Sequence, residues 1–158
     1  MRNTRLAGLG AAVLIALAAT ASTANAQTSR THLGPRIGYN FDAEAVTIGG
    51  QLSFPIARRL EFYPSADVTL VDNGSMFGVN VDVKYRMPSG GSMEWLYLGT
   101  GLGIVSRSVN DNDNTDTGLN LFVGAESLRG RVHPFIEGRV LISDGSTAQL
   151  VGGLNFTI

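Results

Sequence analysis

Catalytic chemistry in this sequence would have to involve one of its two histidines, His32 or His133. A hydroxyl nucleophile needs a base within hydrogen-bond reach and a third group that orients the base. The nearest such set is His133 with Ser127 and Glu126, which flank a basic turn. A structural or solvated histidine is the simpler interpretation. We therefore predict no catalytic residue, no cofactor and no enzymatic activity.

A second candidate site is the acidic run from Asn110 to Asp116, whose composition suits a calcium-binding loop. Counted from Asp111, position six of an EF-hand loop requires glycine but holds Asp116. Position twelve requires glutamate but holds Phe122. We predict no metal site here and interpret the run as a solvated loop, with weak contact to divalent ions as the alternative.

The N-terminus has the three parts of a secretory signal. Arg2 and Arg5 are followed by the apolar run Leu6–Ala19 and then by the small-residue pattern Ala24–Ala26. The apolar run is shorter than the about 20 residues that a membrane-spanning helix needs. We predict a cleaved signal peptide over residues 1–26 and one domain over residues 27–158.

Charge and cysteine content narrow the class of protein. The predicted signal carries two of the 12 basic residues and none of the 13 acidic ones, which leaves the exported part with a net charge of −3. This charge gives no electrostatic reason to expect nucleic-acid binding. The chain has no cysteine, so a disulfide framework is excluded for an exported protein.

Alternation with a period of two residues runs through most of the predicted domain, and helical periodicity is absent. In residues 77–87 the odd positions are large and apolar, whereas the even positions are glycine, asparagine or charged. Alternate side chains of a strand point to opposite faces, so each such segment has one apolar and one polar face. The predicted strands are eight: about 33–41, 45–54, 59–70, 77–87, 94–106, 117–127, 133–143 and 147–158.

The connections between these strands fall into two alternating sets. Three are compact turns that are basic or rich in Gly and Pro, at 55–58, 88–92 and 129–131. The other four are loops rich in acidic residues and Asn, at 42–44, 71–75, 110–116 and 144–146. In an even-stranded meander the two sets lie at opposite ends, which we name the turn end and the loop end.

The composition of the polar face predicts which face points inward. A soluble lipocalin-like barrel has an apolar interior, whereas a membrane barrel has an apolar exterior and a polar lumen. Many glycines and nearly balanced charges suit a narrow, closed interior, because buried charges must be paired. The glycines are Gly34, Gly38, Gly49, Gly78, Gly99, Gly101, Gly103, Gly118, Gly124 and Gly153. The predicted lumen charges are Arg36, Glu61, Asp67, Asp82, Lys84, Arg86, Glu126, Glu137 and Arg139.

Aromatic residues predict two girdles on the apolar face. Phe54, Phe62, Tyr85 and Phe135 are expected at the turn end, and Tyr39, Phe41 and Phe77 at the loop end. Trp95 and Tyr97 share the glycine parity, so either a bulge turns them outward or they fill the lumen. Ion pairs such as Arg36 with Asp82, and Glu137 with neighbours of Arg139, are expected to close the lumen further.

The placed strands resemble the small eight-stranded outer-membrane barrels, the family of the OmpA transmembrane domain, OmpX and the opacity-type surface proteins. The resemblance rests on residues 96–104, 118–126, 134–139 and 154–158. It implies an all-β, eight-stranded antiparallel up-and-down transmembrane β-barrel. It also implies that Leu154, Phe156 and Ile158 in the last strand form a signal for the barrel-assembly machinery.

These observations predict a monomer in the bacterial outer membrane, with both termini in the periplasm and a structural or surface-interaction role. Its expected partners are outer-membrane lipid, lipopolysaccharide and the assembly machinery. Two alternatives differ in class. One is a soluble periplasmic lipocalin-like barrel that binds a small apolar ligand. The other is a lipid-A-modifying outer-membrane enzyme that uses His133.

Overall fold

The computed structural model describes residues 30–71, 74–88, 94–109 and 112–158. Each strand pairs antiparallel with the next and the last pairs with the first, so the sheet closes into an up-and-down barrel. The predicted fold class is confirmed, and the predicted signal lies outside the described residues. The strands are β1 (His32–Asn40), β2 (Ala45–Ala57), β3 (Leu60–Val71), β4 (Gly74–Arg86), β5 (Leu96–Val109), β6 (Asn112–Glu126), β7 (Val132–Ile142) and β8 (Thr147–Thr157).

Strand β7 shows how the alternating sequence sorts its side chains. Every second residue from His133 to Leu141 is buried, and the residues between them are exposed. Glu137 is fully buried, whereas the neighbouring Ile136 is 53% exposed on the outside. The barrel therefore has a polar, charged interior and an apolar exterior, which is the reverse of a soluble barrel.

The β5–β6 hairpin is longer than the sequence pattern predicts. Residues 112–116, which we expected in a loop, belong to β6 and pair with residues 105–109 of β5. Alternation cannot reveal this extension, because both faces of a hairpin that projects beyond the barrel are polar. The remaining residues of the predicted loop, 110–111, lie outside the described residues.

Hydrogen bonds between side-chain oxygens and backbone N–H groups fix the β1–β2 loop, and a glycine lies in the β6–β7 turn. Asn40 Oδ1 accepts hydrogen bonds from the backbone N–H groups of Asp42 and Ala43, at 3.0 Å each. Asp42 in turn accepts a bond from the Ala148 N–H at 2.6 Å, which ties the first loop to β8. At the turn end, Gly130 has a φ of 82°, a conformation that glycine adopts without strain.

No helix within the described ranges is long and apolar enough to cross a membrane.

Of the seven aromatic residues that we predicted for the two outer girdles, six lie on the outside and one does not. The side chain of Phe135 is buried and points into the lumen, so its predicted place in the outer girdle is wrong. Phe135 lies two residues before Glu137 on the same strand, so both side chains point to the same face whatever their residue type. Tyr97 also fills the lumen, whereas Trp95 precedes β5 and is 48% exposed. The other girdle residues lie on the outside: Tyr39, Phe41, Phe54, Phe62, Phe77 and Tyr85.

Candidate functional site in the barrel lumen

Four charged side chains form a compact group near the turn end, which we name the turn-end cluster: Glu61, Lys84, Arg86 and Glu126. Lys84 Nζ lies 2.9 Å from Glu61 Oε2 and 3.3 Å from Glu126 Oε2. Arg86 Nη2 lies 2.6 Å from Glu126 Oε2, and Arg86 Nε also bonds to Glu61. Each cation thus contacts both carboxylates, so the charges in this buried cluster are balanced.

Neutral residues complete the hydrogen bonding of the two glutamates. Ser53 donates to Glu61, and Asn155 Nδ2 donates to Glu126 Oε1 at 2.7 Å. Gln51 then donates to Asn155 Oδ1 at 2.7 Å. A buried polar network contributes to stability when all its members have partners, and these bonds supply partners for most of the carboxylate oxygens.

Aromatic rings surround the Lys84 ammonium group. Its Nζ lies 4.6 Å from the ring centroid of Tyr63 and 4.9 Å from that of Tyr97. Tyr63 and Tyr97 pack with Phe122 as the apolar core of the lumen. The rings fill space between charges, and the ring faces attract the cation.

A second group, the mid-lumen cluster, consists of Asp82, Glu137 and Arg139. Arg139 Nη1 donates to Asp82 Oδ2 at 2.6 Å, and Arg139 Nη2 lies 3.1 Å from Glu137 Oε1. The Tyr97 hydroxyl donates to Glu137 Oε2 at 3.0 Å, and Asn120 donates to Asp82 Oδ1 at 2.9 Å. The expected pairing of Glu137 with neighbours of Arg139 is replaced by a direct bond to Arg139 itself.

The expected pairing of Arg36 with Asp82 is wrong. Arg36 Nε lies 3.0 Å from Asp67 Oδ1 instead. The reason is the register, because Arg36 lies opposite Gly49 in β2 and Gly49 lies opposite Asp67 in β3. A Cβ atom at position 49 would overlap the Asp67 carboxylate, so the glycine opens the path between the two charges.

A glycine separates partners in the mid-lumen cluster in the same way. Asp82 lies opposite Gly101, which lies opposite Asn120. A Cβ atom at position 101 would overlap the Asp82 carboxylate that receives the Asn120 bond. The many inward glycines are therefore gaps through which side chains on alternate strands reach one another.

The loop-end half of the lumen is lined mainly by neutral and small residues. Thr47 and Thr69 share a hydroxyl hydrogen bond of 2.8 Å, and Met76 and Leu141 add apolar surface. A cavity of about 40 Å³ opens here, and Arg139 contributes to its lining. We name this half the loop-end vestibule.

The candidate catalytic residues do not form a triad. His133 Nδ1 lies 2.7 Å from the backbone oxygen of Ser127, and Nε2 lies 3.1 Å from the Thr157 hydroxyl. Glu126 is held by Lys84 and Arg86. None of these contacts brings a base to the Ser127 hydroxyl, because His133 bonds the backbone carbonyl of Ser127 instead.

Metal-binding geometry is also lacking in the part of the chain that the structure describes, where no group of three or more His, Asp or Glu side chains could hold an ion. The nine predicted lumen charges all lie inside the barrel, eight of them buried and Arg86 15% exposed in its side chain. Sequence reasoning missed the inward position of Phe135, which its parity with Glu137 could have shown. The partners of each charge had no signal in the sequence, since they depend on register.

A closed eight-stranded barrel with a charged, filled lumen and an apolar exterior defines the class of small outer-membrane barrels. Three solved structures share this fold. The N-terminal β-barrel domain of OprF from Pseudomonas aeruginosa matches with a TM-score of 0.57 at 18% identity, covering 80% of this chain and 96% of that one. Neisserial surface protein A (NspA) matches with a TM-score of 0.60 at 12% identity, covering 82% and 98%.

The third structure is a designed transmembrane β-barrel, with a TM-score of 0.55 at 13% identity, covering 84% of this chain and 99% of the design. No family model matches the chain. No curated protein matches it either. At these identities the similarity establishes the fold, and the role of the protein has to be argued from its own residues.

Proposed function

We propose that this chain is a monomeric outer-membrane barrel with a structural or surface-interaction role and no catalytic activity. The observation that carries the proposal is the placement of charged side chains inside the barrel and apolar side chains outside it. Charged residues are buried in the lumen, while Ile37, Leu102 and Ile104 on the outside are 59%, 60% and 49% exposed. A continuous apolar exterior of this kind is stable against lipid tails and is a liability in water.

The two alternative functions receive less support from the geometry. A lipocalin-like carrier needs an apolar interior, but the described lumen holds Lys84, Arg139 and five carboxylates. A lipid-A-modifying enzyme needs an activated nucleophile, but His133 bonds a peptide carbonyl and a threonine hydroxyl.

The position of the termini supports the proposed orientation. The N-terminus of β1 and the C-terminus of β8 lie at the turn end, together with the basic turns that follow β2 and β6. The acidic loops lie at the other end. We place the turn end in the periplasm and the loop end outside the cell. In this orientation the acidic loops meet lipopolysaccharide and divalent ions.

Leu102→Arg tests the membrane environment directly. Leu102 lies mid-strand on the outer face, so an arginine there costs about 2–4 kcal/mol in lipid but little in water. Urea unfolding of the exported chain in lipid vesicles measures this cost. Two further measurements on the parent protein test the membrane location itself: whether its extraction from cells requires detergent, and whether its gel mobility changes on heating.

Ser108→Arg is the matched control, because Ser108 has the same parity on the same strand but lies in the exposed hairpin extension. It should leave the unfolding free energy unchanged. Equal tolerance of both substitutions, or release of the parent protein from cells without detergent, would refute the membrane assignment.

The last strand supports the proposed recognition by assembly machinery. Leu154 and Phe156 are exposed on the outer face of β8, and Ile158, which follows the strand, is exposed too. Phe156→Ala should reduce the amount of folded protein in the outer membrane of cells while leaving refolding into detergent unchanged. Phe77→Ala, which is equally exposed on another strand, is the control. Equal effects of the two substitutions in cells would argue against a C-terminal signal.

A further inference from the structure

A cavity of about 230 Å³ opens at the turn end of the barrel, below the turn-end cluster. Its lining includes Arg30, Arg58, Arg59, Arg86, His32 and His133. The carboxylate in the lining is Glu61, which is already bound by Lys84 and Arg86. The cavity therefore carries an excess of positive charge, unlike the balanced network above it.

Two nitrogen atoms in this lining are buried without a hydrogen-bond partner, Arg86 Nη1 and His32 Nδ1. A guanidinium nitrogen can only donate, and a buried donor without an acceptor costs free energy. Both nitrogens are shielded from solvent, so an acceptor in the cavity would reach them only after the Arg86 or His32 side chain turned toward it.

The three outer arginines are also free to bind a ligand. Among the described residues, Arg30, Arg58 and Arg59 form no ion pair with a carboxylate. Arg58 and Arg59 form the β2–β3 turn, and both line the cavity. Guanidinium groups present planar pairs of donors that match the oxygens of a phosphate.

We propose that this turn-end cavity binds a phosphate group through Arg58 and Arg59, with the positive charge of Arg86 beside them. The volume exceeds what one phosphate ion fills, so the site has room for a phosphate ester. A phospholipid headgroup and a soluble phosphate ester share this chemistry, and each can reach the mouth of the barrel. The site is independent of the proposed structural role, because it needs only the closed turn end.

Isothermal titration of the refolded exported chain with inorganic phosphate, in a phosphate-free detergent, tests the site. The parent protein should bind phosphate saturably with one site per chain. The double variant Arg58→Gln/Arg59→Gln should weaken binding by about tenfold or more, because it removes two charge-assisted contacts. Heat-dependent gel mobility verifies that each variant is folded.

Arg129→Gln/Arg131→Gln is the matched control. It removes the same charge from the same end of the barrel, but neither residue lines the cavity. It should change the affinity by less than about twofold, since only diffuse electrostatics are altered. Absence of saturable binding by the parent, or equal weakening by the two double variants, would overturn the proposal.

Competition identifies the source of the phosphate. Glycerol 3-phosphate and phosphatidylglycerol mixed into the micelles are each tested for displacement of inorganic phosphate. Displacement by the lipid supports a headgroup ligand. Displacement by glycerol 3-phosphate alone supports a soluble ester.

Discussion

The two halves of the lumen are filled by different kinds of side chain. The turn-end half holds the turn-end cluster, with tyrosine and phenylalanine rings packed between the charges. The loop-end vestibule is lined by more neutral than charged residues, with Asp67 and Arg139 at its border, and it leaves a gap of about 40 Å³. Inside the barrel, the turn-end charges are thus surrounded by opposite charges and rings, whereas the vestibule leaves a water-sized gap beside groups that are mostly neutral.

Three inward glycines show a related contrast between the halves. In the turn-end half, a Cβ atom at Gly99 would overlap the Phe122 ring, and one at Gly124 would overlap Tyr97. In the loop-end half, a Cβ atom at Gly78 would meet its nearest neighbour, Val105, at 3.9 Å. The large rings of one half thus occupy the space that its glycines leave open.

The largest contrast between the halves is expected from Glu126→Ala. The substitution leaves Lys84 and Arg86 with one carboxylate between them and removes the acceptor of Asn155. Breaking a buried ion pair costs about 3–5 kcal/mol of the free energy of unfolding. Urea unfolding in lipid vesicles measures it.

Glu94→Ala is the control for this loss of charge, because Glu94 is exposed at the same end of the barrel. It should change stability by less than about 0.5 kcal/mol. A small effect of Glu126→Ala would mean that the cluster is hydrated and does not close the lumen.

An intermediate contrast is expected from two glycine substitutions. Gly124→Ala should destabilise the barrel by about 1–3 kcal/mol, because the new methyl group displaces the Tyr97 ring. Gly78→Ala should stay within about 0.5 kcal/mol of the parent, because its surroundings have room. The same vesicle assay measures both, and equal effects would show that the two halves are packed alike.

The smallest effect is expected in the loop-end vestibule. Thr69→Val removes the partner of the buried Thr47 hydroxyl and should cost about 0.5–1.5 kcal/mol. Thr115→Val changes an exposed residue of the β5–β6 hairpin and should be neutral. A cost for Thr69→Val as large as that of Glu126→Ala would contradict the distinction between the halves.

Much of the fold could be predicted from the sequence, because alternation is a local property. The eight strands and the inward side of residues such as Lys84 and Glu137 followed from parity alone. The extension of β6 to Asn112 did not follow, because its two faces are both polar. The inward Phe135 was missed because residue type was weighed above parity.

The candidate site was predictable in composition but not in pairing. The nine lumen charges were identifiable as a set, yet Arg36 pairs with Asp67 and Asp82 pairs with Arg139. The cavity at the turn end had even less signal in the sequence. Its basic residues come from β1 and the residues before it, from β4 and β7, and from the β2–β3 turn, which meet only when the barrel closes.

The sequence by itself determined which side chains point inward, because the period of a strand is two residues whatever its neighbours are. The tertiary structure decided at what height each side chain lies along the barrel axis, since height depends on the stagger of eight paired strands. Height in turn selects the partner, as Gly49 shows by letting Arg36 reach across to Asp67.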